Sequence, residues 1–283
     1  MCFFYQKLFD FLSNLMYIDI NKTFKHNIYC IRILLPKKDL IMDLFKTWLV
    51  ETPVAHRGYH DKISPENSIS AFKKAVAKGY AIELDVQLIS DGTVVVFHDE
   101  SLSRMTGNDG YIKFLTKSDL PMLYLNGTKE TIPTLEEVLS VVNGETPIII
   151  EIKNTGKVGE LEQKVIDILK KYKGDVAVAA FNPYVLGYFH QHAPNILRGQ
   201  LSGYFKDTKL PFATKFVLKR MIPIKKVSYA DFIMYEASTL PNRFVKKYKK
   251  LPLLAWTVNS QEEYMRVVKY CDNVIFQGFD PKI

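Results

Sequence analysis

"PVAHRGYHDKISPENSISAFKKAVAKGYAIELDVQLIS" occupies residues 53–90, and the order of its pieces decides the fold. "PVAHR" is a short apolar strand that runs into polar loop. "ENSISAFKKAVAKG" reads as a helix, polar at its start and closed by Gly79. "AIELDVQLIS" is strand again, so the stretch is a strand–helix–strand unit. The first strand also ends with His56 and Arg57 side by side, a pair of cation-capable side chains that calls for an anion.

The same rhythm continues downstream. "TLEEVLSVVNG" and "GELEQKVIDILKKY" have helical spacing, whereas "PIIIEIK", "VAVAAF", "ILRGQLS", "DFIMYEAS", "LPLLAWTVN" and "NVIFQGF" read as strands. Near-continuous apolar runs separated by helices predict a parallel sheet covered on its outer side. "TVVVFHD" is different. It follows Asp91-Gly92, a two-residue turn signal, and reads as the return arm of a hairpin. The remaining parallel candidates begin at Pro53, Ala81, Pro147, Val176, Ile196, Asp231, Leu251 and Asn273. Eight is the number of a closed (β/α)8 TIM barrel of the α/β class. An open doubly wound sheet is the second reading, but no glycine-rich phosphate loop follows the first strand. Residues 100–133 are too many for an ordinary connection and predict a small insertion near the mouth.

The barrel domain is expected to span residues 42–283, with "MDLFKTWLVETPVAHRG" as its natural start. Residues 1–41 match nothing downstream and read as a translated upstream extension, or else as an amphipathic arm. With 47% hydrophobic and 24% charged residues the composition is that of an ordinary globular chain. The three cysteines, Cys2, Cys30 and Cys271, form no disulfide framework, which points to a reducing, cytoplasmic compartment. No run approaches the roughly 18 apolar residues of a membrane span.

The net charge of +8 is uneven: residues 205–250 carry twelve Lys/Arg against three Asp/Glu. Within them Phe212, Phe216 and Met221 alternate with Lys215, Lys219 and Arg220 up to Pro223. That pattern suits a peripheral segment in contact with an anionic membrane. It equally suits an outer barrel helix with solvated lysines. No nucleic-acid partner is expected.

The chemistry of such a barrel lies at the C-terminal ends of its strands. Period-two alternation puts Glu83 and Asp85 on one face of their strand, and Glu151 and Lys153 on one face of theirs. Three carboxylates in one mouth repel each other unless a cation joins them. An all-oxygen donor set suits one divalent cation, Mg²⁺ or Ca²⁺, better than zinc. A two-residue turn at Asp91-Gly92 would face Ser90 with Thr93, and hence Asp85 with His98. His26, His60, His190 and His192 read as ordinary polar side chains.

Together, "AHRG", "PEN", "IELDVQLISDG", "VVVFHD", "IPTLEEVL", "IEIK" and "WTVN", in that order, make residues 53–283 closely similar to the glycerophosphodiester phosphodiesterase family. The resemblance implies a β/α barrel with an insertion after the "HD" strand. It implies metal-dependent hydrolysis of small-molecule glycerophosphodiesters to sn-glycerol 3-phosphate and an alcohol. By the same resemblance Glu83, Asp85 and Glu151 are metal ligands, His56 and His98 the general acid/base pair, and Arg57 and Lys153 donors to phosphate oxygens. Trp256 then lines the glycerol pocket, although a core tryptophan reads the same way. "IFQGFDP" departs from the family, which usually shows Thr-Asp before this proline; the departure is expected to touch only the exit of the last strand. A lysophospholipase D with an apolar channel partly built by "KLPFATKFVLKRMIP", and a non-catalytic membrane-surface module, are the competing functions.

Overall fold

Eight parallel strands close on themselves in the computed structural model, which describes residues 43–154, 156–205 and 212–282. The extension expected at residues 1–41 lies outside the described residues. The parallel strands are β1 (Val54–Ala55), β2 (Ala81–Leu88), β4 (Ile148–Ile152), β5 (Val176–Ala180), β6 (Leu197–Ser202), β7 (Phe232–Glu236), β8 (Leu253–Val258) and β9 (Asn273–Phe276). Closure is made by β1, which pairs with β2 on one side and β9 on the other. The expected (β/α)8 barrel is therefore the fold.

Alternation along the strands sorts the core into two layers. Val54, Ala81, Ile149, Ala177, Phe232, Leu254 and Ile275 fill the barrel interior. Their neighbours Ala55, Ile82, Ile148, Ile150 and Val274 face outward into the layer under the helices. Following the interior face of β2 upward gives Ala81, then Glu83, then Asp85. The apolar filling thus gives way to carboxylates at the mouth. The other end is plugged by α1 (Trp48–Glu51), whose Leu49 is fully buried. Asn273 secures the plug by donating to the carbonyls of Leu49 and Thr52 at 2.8 and 2.7 Å.

The outer helices are α2 (Ile69–Lys78), α4 (Leu135–Val142), α5 (Glu160–Leu169), α6 (Pro183–His192), α7 (Phe212–Lys219) and α8 (Gln261–Val267). Their ends follow the local chemistry. Ser68 caps α2, which stops at left-handed Gly79; Thr134 and Glu137 form a reciprocal capping box at α4. Residues 100–133 form the expected insertion, with the short α3 (Ser103–Thr106) and 3-10 turns. It has its own small core of Leu102, Met105, Ile112, Leu120 and Leu125, packed with Val95 and Phe97 of the hairpin arm.

That hairpin corrects one expectation. β3 (Val94–Val96) pairs antiparallel with β2 in the register Val86 to Val96 and Leu88 to Val94. The turn holds three residues, not two. Ile89 bonds Thr93 and Gly92 takes φ +82°, while the Asp91 carboxylate accepts from the Thr93 amide at 3.0 Å. A glycine in the left-handed region after a type I turn gives this three-residue loop. Phe97, not His98, consequently bonds Asp85 through the backbone, at 2.9 Å.

Candidate active site

The mouth is built around β2 and β4, whose register sets Asp85 beside Glu151. One carboxylate oxygen each from Glu83, Asp85 and Glu151 lie within 4.8 Å of one another. All three are buried. Burial, then the charges of Asp85 and Glu151, push the Glu83 carboxyl well above its ordinary range. Burial also raises Asp85, but Lys153, His98 and Arg57 outweigh it and hold that carboxyl low. One carboxyl of the pair is therefore left wanting a positive charge. Asp85 Oδ1 is buried without a hydrogen bond among the described residues, with Lys153 Nζ 3.4 Å away. Hard oxygens, close spacing and an uncompensated charge fit a divalent cation.

The cationic side chains stand on the rim of this cluster. Lys153 Nζ donates to Glu151 Oε1 at 2.8 Å. Burial depresses the Lys153 ammonium, yet Glu151 and Asp85 more than reverse this and keep it charged. The backbone at Arg57 is left-handed, φ +55°, and Gly58 follows at φ +80°. A Cβ on Gly58 would come within 3.0 Å of the α2 backbone at Ala71, so this sharp turn requires glycine. The turn points the Arg57 amide at Glu83 Oε2, 3.1 Å, and its guanidinium Nε toward Asp85 Oδ2, 3.4 Å.

His56 reaches the cluster, and His98 lies near enough to influence Asp85. His56 Nε2 is 3.9 Å from Glu83 Oε2. Its Nδ1 donates to Gln277 Oε1 at 2.6 Å, leaving the Nε2 lone pair toward the site. Burial, followed by the charge of Arg57, lowers this imidazole to about 4, so it is neutral at neutral pH. His98 follows the end of β3, and its Nδ1 donates to Asp99 Oδ1 at 2.6 Å. Despite the shifted register, His98 is among the side chains that lower the Asp85 carboxyl.

Several residues at the site were not singled out from sequence. Glu66 accepts from Arg57 at 2.6 Å, and Asn67 donates to Asp85 Oδ2 at 2.9 Å. Both belong to "PEN", where only the motif was visible. Arg104 of α3 bridges Glu66 Oε1 at 2.7 Å and Asp99 Oδ2 at 2.5 Å. Gln277 overturns the expectation for the last strand's exit, since the residue after β9 bonds His56 directly. His60 also lies within reach of Gln277 and Glu66, with its Nε2 buried and unpartnered among the described residues. Trp256 is partly buried on the interior layer, edge-on to Phe181 at 5.5 Å, with Phe181 in turn 5.8 Å from Phe205. Among the described residues its Nε1 is buried without an acceptor.

The class that this fold defines is a closed α/β barrel, here with an acidic cluster at the mouth. The family model for the glycerophosphoryl diester phosphodiesterase family matches residues 56–277, and the chain belongs to that family. It is an enzyme, a phosphoric diester hydrolase. A glycerophosphodiester phosphodiesterase of Caldanaerobacter subterraneus is 34% identical over 230 residues, covering 76% of this chain and 89% of that protein. A phosphodiesterase of Oleispira antarctica, solved with the product sn-glycerol-3-phosphate, superposes with TM-score 0.68 at 25% identity, covering 81% of this chain and 93% of that one. A lysophospholipase D of Rattus norvegicus is 38% identical over 133 residues, 42% of this chain and 41% of that protein.

Proposed function

We propose that the chain hydrolyses glycerophosphodiesters to sn-glycerol 3-phosphate and an alcohol, at a site formed by Glu83, Asp85, Glu151, His56, His98, Arg57 and Lys153. The carrying observation is the set of three buried carboxylates within 4.8 Å, with His56, Arg57 and Lys153 within 3.9 Å of them. Glu83, Asp85 and Glu151 would hold one Mg²⁺ or Ca²⁺, which when bound supplies charge for the phosphate oxygens. Arg57 and Lys153 supply the remaining positive charge: Arg through a planar fork of donors, Lys as a point charge. These fixed charges favour the transition state because they are already in place where negative charge builds on phosphorus.

Two protons move. Water attacks phosphorus and loses one proton to an imidazole, while the other imidazole protonates the departing alkoxide as the phosphorus–oxygen bond breaks. Neutral His56 has a free lone pair at Nε2, and Asp99 fixes the His98 ring through Nδ1. Trp256 is assigned to the pocket for the organic end of the substrate. A second reading, lysophospholipase D activity, is favoured by the aromatic series Trp256–Phe181–Phe205, an apolar path suited to an acyl chain.

Release of choline by purified protein separates the two, with glycerophosphocholine and lysophosphatidylcholine as parallel substrates. Faster turnover of the former supports the leading reading. EDTA is expected to abolish turnover, and Glu151→Gln to weaken Mg²⁺ or Ca²⁺ binding by at least about tenfold in calorimetry. Full activity in metal-free buffer would defeat the metal assignment.

A further inference from the structure

α7 is apolar on two sides. Thr214, Val217 and Leu218 face inward and are buried, and Met221, expected from sequence on the outer stripe, is buried with them. The opposite side presents Phe212 at 84% exposure and Phe216 at 41%, their rings 6.5 Å apart, with Ile222 beyond at 48%. An outer barrel helix ordinarily turns a polar face to water. Here the outward face carries phenyl rings, with the Arg220 guanidinium 3.3 Å from the Phe216 ring centroid.

The surroundings are basic. Tyr248 donates to the Met221 carbonyl at 3.0 Å, which ties the turn at Val245–Tyr248 to the end of α7. Phe244 sits between them, with Lys219, Arg220 and Arg243 at 5.4, 5.5 and 5.3 Å from its ring. Lys246, Lys247, Lys249 and Lys250 are exposed alongside. Residues 212–230 and 237–261 each contain five Lys/Arg and no Asp or Glu. The two segments therefore form one surface of exposed rings among cations, without a carboxylate from either to offset them.

Its position relates it to catalysis. Ser202 and Tyr235 are register partners at the C-terminal ends of β6 and β7, the mouth end of the barrel. Their hydroxyls donate to the carbonyls of Leu218 and Lys219 at 2.8 and 2.9 Å. The last turn of α7 is thus fastened to the rim. On the same side Phe205 begins the aromatic series that leads inward to Trp256.

We propose that α7 and the Arg243–Lys250 segment dock the enzyme on an anionic lipid surface, with the active-site mouth held at that interface. Exposed phenyl rings enter the headgroup region, and each nearby cation strengthens attachment about fivefold. The docking is separate from the phosphodiester reading, because it must persist when catalysis is removed. The test is cosedimentation of the full chain with vesicles of phosphatidylcholine alone or mixed with phosphatidylglycerol. Binding is expected on the mixed vesicles only, with release as salt shortens the screening length. Phe212→Ser/Phe216→Ser and Lys246→Gln/Lys247→Gln/Lys249→Gln should each weaken binding at least tenfold. Both should hydrolyse a soluble diester normally, while Glu151→Gln binds vesicles like the parent. Absence of binding, equal binding to neutral vesicles, or full binding by the phenylalanine variant (a merely polyanion-binding surface) would overturn the proposal.

Discussion

His98 is positioned by residues that are not its neighbours on a strand. Asp99 holds its Nδ1, Arg104 holds Asp99, and the same guanidinium holds Glu66, which grips Arg57. One arginine from the insertion therefore steadies a proposed proton carrier and a proposed phosphate donor together. Loss of that tether should leave the fold intact, since Arg104 is half exposed, yet loosen both groups at the site. His98→Ala is expected to lower kcat by about 10²–10⁴. Arg104→Ala should lower kcat by up to about 10² with an unchanged melting temperature. On the His98→Ala background the Arg104→Ala loss should shrink markedly, because part of its route is gone. Equal losses on both backgrounds would disprove action through His98. None of this chain of contacts was legible in the sequence. Glu83, Asp85, Glu151 and Lys153 were, because strand alternation fixes their direction. Glu66, Asn67, Asp99, Arg104 and Gln277 meet their partners across loops, where no period applies.

Elements tell a similar story. The eight parallel strands were readable as apolar runs between amphipathic helices, and the insertion as an overlong connection. The hairpin failed by one residue because Asp91-Gly92 serves a two-residue turn and the end of a three-residue turn equally well. What decides is the Asp91 carboxylate, which accepts from the amides of both Thr93 and Lys117, the latter in the insertion at 2.8 Å. A tertiary contact thus selects the loop. Gly92 at φ +82° makes the choice testable. Gly92→Ala has room for its methyl group beside the flexible Lys164 ammonium, so backbone strain alone should act. A cost of about 1–2 kcal/mol in denaturant unfolding is expected, with kcat retained. A stabilised or unaffected variant would show that the turn tolerates another conformation. α7 was half legible: its spacing announced an amphipathic helix but could not say which stripe the barrel would cover.

At the scale of the whole molecule, the described residues form a closed barrel, a plug at its lower end and a basic, aromatic face at one side of its mouth. We propose that residues 42–283 suffice as the catalytic unit. Every proposed site residue lies between His56 and Gln277, and the plug's named contacts also lie within residues 42–283: Leu49 fills the lower interior and Asn273 binds the carbonyls of Leu49 and Thr52. A chain beginning at Met42 should therefore match the full chain in melting temperature and in kcat on a soluble diester. A chain beginning at Pro53 should not. It exposes the interior residues Val54, Ala81 and Ile275 at the lower end, and it strands the Asn273 amide, which is 8% exposed, without either acceptor. Emptying one buried leucine site alone typically costs about 2–5 kcal/mol, and the unpaired amide adds about 1–3 kcal/mol. Against a total stability of roughly 5–15 kcal/mol such a loss should lower the melting temperature by many degrees or leave the barrel unfolded. Thermal unfolding of the two truncations decides the boundary. Equal melting temperatures would mean that α1 is dispensable, and a loss of activity on starting at Met42 would give the first 41 residues a part in the enzyme.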